Sequence, residues 1–458
     1  MQENTMVFEE TIVKLLETKK YSTIRDIMAA MNAADIASLF EDVEEEKLPL
    51  LFRLLPKELA AETFVEMDSD LQELLIKSFS DSELKEVFDE LYVDDAADIV
   101  EEMPANVVKR ILQQSDPETR RMINEILKYP EDSAGSIMTT EYVSLRPEMT
   151  AEEAIKRIRR TGIDKETIYT CYVTEEDRRL IGYVSIRTLL ISDDEERVRD
   201  IMDDNVISVT TTDDQEDVSI LFGKYNFVAL PVVDKEGRLV GIVTVDDAID
   251  VMQEEVTEDI EKMAAIIPSE KPYLKMSVPD IWKVRMPWLL LLMISATFTG
   301  MIITGFENAL QAQVVLTAFI PMLMDTGGNS GSQASVSVIR SLALREVEFA
   351  DYFTVLWKEI RVSAFCGATL AVVNFGKILL IDRMLLGNTE VTISVAAVIC
   401  ITLFLTVVCA KIVGCSLPML AAKLNFDPAV MASPFITTIV DAISLLIYFQ
   451  IAKTLLNF

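Results

Sequence analysis

The chain has 458 residues, a formal net charge of −32 and no histidine. Without an imidazole it cannot form a histidine zinc site, a serine–histidine triad or a histidine proton relay. The strongly negative charge repels phosphate backbones, which argues against a nucleic-acid partner.

The charge is unevenly divided along the chain. The first 282 residues hold 31 basic and 64 acidic residues, whereas the part from Lys283 onward holds 11 basic and 10 acidic residues. We therefore expect an acidic soluble half followed by an apolar half. Five scattered cysteines without a C-x-x-C motif predict reduced thiols and a soluble half that faces the cytosol. The N-terminal residues lack a basic start followed by an apolar core, so no cleaved signal peptide is expected.

Residues 1–130 are predicted to form an all-helical domain. Short amphipathic segments recur there between acidic residues or prolines, among them AADIASLFEDV, ELAAETFVEM and DDAADIVEEMP. The loose similarity of these segments favours stacked helix pairs that form a small right-angled solenoid.

Residues 131–255 contain an internal repeat. The tetrapeptide at 137–140, IMTT, is echoed by IMDD at 201–204, and each copy continues into two apolar strands and a helix. The second strand of each copy opens a G-h-h-[ST]-x-x-[DN] pattern, at Gly182–Thr188 and at Gly241–Asp247. These features resemble a tandem pair of CBS domains. That family uses the last acidic position on the ribose of adenine nucleotides, so the resemblance implies ATP binding only in the half that keeps Asp247.

Residues 256–285 form a polar, partly helical connector that could transmit force to the apolar half; the alternative is a plain linker. The remaining residues, 286–458, are predicted to be an all-α membrane domain of five helices. Its spans are expected at about 288–306, 312–339, 362–381, 391–420 and 429–456. The fold class is therefore multidomain, with an all-α N domain, an α/β CBS pair and an all-α membrane domain.

Basic residues place the loops on either side of the membrane. They lie before the first span, between the second and third, and between the fourth and fifth, at Lys283, Arg285, Arg340, Arg345, Lys358 and Lys423. The positive-inside rule then predicts that the soluble domains are cytosolic and that the C-terminus lies outside.

The second span contains a polar and glycine-rich run. Adjacent glycines weaken a helix and free its carbonyls, which with amide and carboxylate oxygens suit a hard cation or its water shell. The alternative is close helix packing, because Gly327 and Gly331 form a G-x-x-x-G face. The candidate ion-binding residues are Asp325, Gly327, Gly328, Asn329 and Gln333.

Asp441 is the only charge between Pro428 and Ala452 on the fifth span. It lies about 16 Å along a helix from Val430, near the middle of a ~30 Å hydrocarbon core. A carboxylate there costs about 2.5 kcal/mol or more and usually faces a wet pathway. The pattern predicts an ion pathway at Asp441; the alternative is a protonated, hydrogen-bonded carboxyl. Asp427, followed by proline, is expected to be a structural helix cap.

The whole chain resembles the MgtE family of magnesium channels and transporters. The resemblance is strongest in P-M-L-M-D-T-G-G-N-S-G-S-Q on the second span and in D-P-A-V-M-A-S-P-F-I-T-T-I-V-D, which ends at Asp441. It implies a non-enzymatic homodimer in the cell membrane, with a pore on the two-fold axis where Asp441 recognises hydrated Mg²⁺. Asp325 stands where a neutral residue is expected. It would add a second acidic ring or widen selectivity toward Mn²⁺, Co²⁺ and Ni²⁺, which is the alternative function.

The resemblance also implies regulation. Members of the family close when cytosolic Mg²⁺ bridges the N domain, the CBS pair and the connector. Without the cation, the clustered carboxylates repel one another and open the pore. Asn226 stands where an acidic residue is expected. The matching sensing positions are Asp94, Asp98, Gly135, Asp214, Glu216, Asp247, Asp250, Glu258 and Asp259.

Two other classes fit less well. A CBS-regulated anion channel would have a much larger membrane part, and a pore lined by carboxylates suits anions badly. An ATP-driven pump or membrane enzyme would need a motif that binds or hydrolyses ATP. The chain has neither the P-loop pattern G-x-x-x-x-G-K-[ST] nor the phosphorylation motif D-K-T-G.

Overall fold

The computed structural model describes residues 11–12, 14–16, 18–269, 271, 273–307, 311, 313–387, 390–431 and 433–456. They fall into two compact units, Met1–Met252 and Gln253–Phe458.

The N-terminal part of the first unit is a stack of short helices, as predicted. Phe52, Phe64 and Phe79 form an aromatic cluster in its core, with ring centroids 5.3 to 6.3 Å apart. Helix starts follow local chemistry: Ser80 and Glu83 cap each other's backbone N–H groups in a capping box. The helices are α1 Tyr21–Met28, α2 Ala33–Glu41, α3 Leu48–Phe52, α4 Lys57–Val65, α5 Ser69–Ser78, α6 Asp81–Phe88, α7 Val93–Glu102, α8 Ala105–Gln114 and α9 Pro117–Ile126.

The repeat at 131–255 folds as two three-stranded sheets. In each, the first strand is parallel to the middle strand and the last two strands are antiparallel. The short first strand of each sheet was not expected from the sequence. The elements are β1 Tyr142–Leu145, α10 Ala151–Thr161, β2 Thr167–Thr174, β3 Leu180–Ser185, α11 Ile186–Ile191, α12 Val198–Ile201, β4 Val209–Thr210, α13 Gln215–Tyr225, β5 Ala229–Val233 and β6 Leu239–Thr244.

The methionine of each I-M motif packs on the glycine that the other copy repeats. Met138 begins the first copy but packs on Gly241 of the second, where a Cβ would lie 2.6 Å from its Sδ. Met202 begins the second copy and packs on Gly182 of the first, where a Cβ would lie 2.7 Å from its Sδ. The motif of each copy therefore packs against the strand of the other, and the two copies form one packed pair.

A single helix crosses the expected boundary between the CBS pair and the connector. Helix α14 runs unbroken from Val245 to Met263, so it starts inside the second CBS copy and continues past the expected boundary at 255. Its charged residues do not interrupt it, because glutamate and lysine are good helix formers.

Five long helices follow, and most of their limits differ from the predicted spans. They are α15 Val278–Gly305, α16 Ile320–Ala343, α17 Tyr352–Lys377, α18 Ile393–Lys423 and α19 Ser433–Leu456. Helices α15 and α17 both begin ten residues before the predicted spans, in sequence that contains charged residues. A low hydropathy does not by itself end a helix. The expected start of the second span, residue 312, lies outside the described residues. Among described residues, four helical segments are long and apolar enough to cross a membrane, and α16 is more polar than these.

Helix α16 is continuous through its glycines, so the expected freeing of carbonyls is wrong and the packing alternative is correct. A Cβ on Gly327 would lie 2.7 Å from Thr406 Cγ2 of α18, and one on Gly331 2.7 Å from Ile436 Cγ2 of α19. A Cβ on Gly414 of α18 would overlap the carbonyl oxygen of Gly331. The glycines let α16, α18 and α19 approach closely.

Gly414→Ala should therefore strongly destabilise the membrane unit. The new methyl group meets backbone that cannot rotate away, and overpacking of this kind costs about 1–3 kcal/mol or more. Thermal unfolding of the detergent-purified chain should occur at a clearly lower temperature than in the parent. Gly376→Ala on α17 is the matched control, because its Cβ would meet no described atom within 4 Å. Equal unfolding temperatures for the two variants would contradict the close contact.

Candidate functional site

A polar stripe runs along one face of α16. Asp325, Asn329, Gln333 and Ser337 recur every four residues, and all four are exposed in the single chain. The opposite face holds the buried glycines that pack on α18 and α19. Hydrocarbon tails offer no hydrogen bonds, so a stripe of carboxylate, amides and hydroxyl in a membrane helix requires water or protein beside it.

Asp441 is brought to this stripe by the packing of α19 on α16. Gly328 of α16 lies against Thr437, one helical turn before Asp441. The Asp441 carboxylate, which is half-buried, lies close enough to Asp325 for their charges to repel. Two predicted pore residues 116 positions apart in the sequence thus share one region. Among the described residues, no three His, Cys, Asp or Glu groups converge to cage a bare metal ion. The arrangement suits a cation that keeps its waters.

A second acidic site joins α7 of the N domain to the CBS pair. Asp94 is buried and its Oδ1 has no hydrogen-bond partner among the described residues, nor has Glu166 Oε2. Burial, followed by the charge of Asp247, raises the pKa of Asp94 well above its usual value. Buried carboxyl oxygens without donors are the positions that a cation or its water shell would satisfy.

The neighbours of Asp94 show the same effect. Burial is the main cause that raises the pKa of Asp95 to about 7 and that of Glu166 to about 8, and the charges of nearby carboxylates add to it. Loss of water and the charge of Asp247 raise the pKa of Asp98 to about 7. The structure thus brings the predicted Asp94, Asp98 and Asp247 together. Sequence reasoning missed Asp95 and Glu166, the latter because only the fold places it beside α7.

The predicted residues Gly135, Asp214 and Glu216 lie elsewhere in the CBS pair. Asp214 caps α13 by accepting a 2.9 Å hydrogen bond from the N–H of Glu216. The N–H of Gly135 donates to Thr211 O at 3.1 Å, and a Cβ there would lie 2.7 Å from that oxygen. Asn226 adopts a left-handed conformation, φ 55°, at the C-cap of α13, a position that favours asparagine over most residues. These residues have local structural roles.

Asp247 has two neighbours that bear on its predicted nucleotide role. Its Oδ2 accepts a 3.3 Å hydrogen bond from the N–H of Thr244 and a second from the Thr244 hydroxyl. Burial and the charge of Asp246 outweigh these bonds and raise the pKa of Asp247 to about 6. Crowded negative charge opposes the approach of phosphate groups. ATP binding through Asp247 stays a prediction. Asp250, one helical turn later, has its pKa raised by burial and then by Asp246.

A third acidic group lies where the end of α14 meets Asp427, in the segment between α18 and α19. Lys262 Nζ lies 2.5 Å from Glu258 Oε1 and 2.6 Å from Asp427 Oδ2. Burial and then the charge of Asp427 raise the pKa of Asp259. Burial lowers the pKa of Lys262, but its hydrogen bonds to Asp427 and Glu258 outweigh this and raise it. Asp427 Oδ1 also accepts a 2.7 Å hydrogen bond from Ala429 N, the structural role expected of it. Sequence reasoning missed Lys262.

Comparison with known proteins covers both units. Three family models match: a divalent cation transporter model at residues 320–451, the MgtE intracellular N domain at 31–132, and the CBS domain at 134–193 and 198–254. The chain is 38% identical over 438 residues to the magnesium transporter MgtE of Thermus thermophilus, covering 95% of each chain. It is 32% identical over 459 residues to the magnesium transporter MgtE of Bacillus subtilis, covering 99% of each.

Solved structures match the soluble half. The cytosolic domain of the Mg²⁺ channel MgtE in complex with ATP is 38% identical, with a TM-score of 0.51, and the match covers 53% of this chain and 99% of that one. The soluble part of a magnesium transporter is 30% identical, also with a TM-score of 0.51, covering 56% and 99%. The helical N domain followed by a CBS pair is thus a known architecture. With end-to-end similarity to two curated relatives, this chain belongs to the MgtE family, which is a family of transporters and not of enzymes.

Proposed function

We propose that this chain is a magnesium-selective channel or transporter of the cell membrane, which passes hydrated Mg²⁺ through a pore between two copies. The observation that carries the proposal is the polar stripe of α16, from Asp325 to Ser337, with Asp441 beside it. Both named curated relatives are called magnesium transporters.

The polar stripe also supports the homodimer. In one chain the stripe is exposed, and a bilayer cannot cover it. A second copy related by a two-fold axis covers it with an identical stripe, encloses water and brings two Asp441 side chains to one depth. Every residue of helix α15 is described, and none is buried in the single chain. The helix can therefore contact a partner subunit or lipid.

Mg²⁺ is the divalent cation that fits such a pore best. It releases its waters reluctantly and prefers near-octahedral geometry, so acceptors outside the water shell recognise it without stripping it. Two carboxylates balance its charge, whereas a tight cage would trap it. Asp325 brings further negative charge close to Asp441, and this supports the alternative of a wider selectivity that includes Mn²⁺, Co²⁺ and Ni²⁺.

Purified full-length protein in liposomes tests this function. We expect uptake of Mg²⁺ without added ATP, slower uptake of the other divalent cations, and no chloride flux. Empty liposomes are the control. Absence of Mg²⁺ uptake, or chloride flux in its place, would refute the function; equal rates for Mg²⁺ and Mn²⁺ would favour the wider selectivity.

Regulation by cytosolic Mg²⁺ belongs to the same proposal. The carboxylates of α7 and the CBS pair are crowded, and two of their oxygens, on Asp94 and Glu166, are buried without a donor among the described residues. Mg²⁺ bound there, and at Glu258 and Asp259 on α14, would favour the compact closed state over an open one. The soluble domains lie in the cytosol and the C-terminus outside, as the distribution of basic residues supports.

Lys262 should hold the end of α14 against the segment that precedes α19 even without Mg²⁺. Its ammonium group pairs with Glu258 and Asp427, and hydrogen bonds to charged groups contribute about 2 kcal/mol each. Lys262→Met leaves these carboxylates to repel each other, so proteolysis of residues 264–277 in chelator should accelerate about tenfold. Lys262→Arg, which keeps the charge, is the control. Unchanged cleavage in Lys262→Met would show that other contacts hold this end of α14.

A further inference from the structure

An ion pair lies within the membrane unit, away from the pore stripe. Lys411 Nζ on α18 is 3.7 Å from Glu359 Oε2 on α17, and the two side chains are 6% and 16% exposed. Twelve residues separate Lys411 from the end of α18 at Lys423, about 18 Å along the helix. Both side chains are largely covered by protein, so the charge of Lys411 needs a partner inside the protein.

The two charges depend on each other. Glu359 Oε2 accepts no hydrogen bond from the described residues, and its ion pair with the Lys411 ammonium offsets its charge. A lone charge left among apolar side chains is far less stable than a neutral pair. Because the partners come from α17 and α18, their attraction resists rotation and sliding of one helix against the other.

The same stretch of α18 also contacts the helix with the polar stripe. Ala410 directly precedes Lys411 and Gly414 follows it by almost one turn, and both lie against Gly331 of α16. The Ala410 carbonyl oxygen would be 3.2 Å from a Cβ on Gly331. Gly331 is on the buried face of α16, opposite the exposed polar stripe. The ion pair therefore stands behind the pore helix and not in the pathway.

We propose that Lys411 and Glu359 are a positioning pair, which fixes α18 against α17 and, through the Gly331–Gly414 contact, sets the place of the pore helix α16. The pair binds no transported ion. Its loss as a unit should be tolerated far better than the loss of either charge, because only a single loss leaves a bare charge in the apolar interior.

The test compares single and paired substitutions in the full chain. Lys411→Met and Glu359→Gln should each slow Mg²⁺ uptake into liposomes about tenfold or more, and each should lower the unfolding temperature in detergent. The double variant should recover uptake to within about threefold of the parent and recover most of the unfolding temperature, with the half-saturating Mg²⁺ concentration unchanged. Lys453→Met, near the exposed end of α19, is the control for loss of a basic residue.

The uptake readout rests on the proposed transport function, whereas the unfolding temperature does not. Absence of uptake by the parent protein would therefore refute the transport function and leave the pair to be judged by unfolding alone. A double variant that is as unstable as the worse single variant would overturn the positioning pair. A shift of the half-saturating concentration by about tenfold would instead make these residues part of the ion pathway. If neither single variant folds, a folded and active double variant still supports the pair.

Discussion

Asp441→Asn should nearly abolish Mg²⁺ uptake while leaving the protein folded. A carboxylate about 5 Å from a divalent charge, at an effective dielectric constant of about 20, contributes an attraction of about 7 kcal/mol, part of which desolvation offsets. Two copies of the chain would lose this attraction together. We therefore expect initial rates at least about a hundredfold below those of the parent in the liposome assay.

Matched variants separate charge from shape. Asp441→Glu keeps the charge but moves it outward, so uptake should be intermediate. Asp325→Asn removes the neighbouring carboxylate and should reduce uptake less, since Asp325 lies on the exposed stripe and Asp441 is half-buried between helices. Unfolding temperatures close to that of the parent are required for all three variants. Retained uptake by a folded Asp441→Asn variant would remove Asp441 from the pathway.

The repeats and the isolated charge of Asp441 could be recognised in the sequence because their signals are local. The two CBS copies repeat the same strands and motifs, and β2, with the sequence TIYTCYVT, is one of the expected apolar strands. Asp441 stands out because it is a single charge in an apolar run. The fold preserves both patterns.

Contacts between distant residues could not be predicted in this way. Lys262 and Asp427 are 165 positions apart, and Lys411 and Glu359 are 52 apart, so no sequence window contains either pair. Glu166 resembles any other surface carboxylate until the start of β2 carries it beside α7. The glycines of α16 allowed two interpretations because a weak helix and a close helix contact need the same residue, and only the neighbouring helices decide between them.

The acidic site of the soluble half should make its stability fall as pH rises. The pKa values of Asp95 and Asp98 are raised to about 7 and that of Glu166 to about 8, above the values of about 4 in an unfolded chain. Between about pH 4 and about pH 8 the folded state therefore binds more protons than the unfolded state, and its stability decreases with rising pH. Without Mg²⁺, proteolysis of the soluble half of the full chain should be slower at about pH 5.5 than at about pH 8.

Mg²⁺ should reverse this dependence. At the higher pH the carboxylates are ionised, so a divalent cation can replace the protons, and stabilisation by binding grows with the logarithm of its concentration. Millimolar Mg²⁺ should therefore slow proteolysis strongly near the upper pH and weakly near the lower one, where protons already occupy the site. Asp95→Asn combined with Glu166→Gln should flatten the pH dependence in chelator, since neutral amides do not repel. Digestion that responds to neither pH nor Mg²⁺ would show that these carboxylates are not a cation sensor.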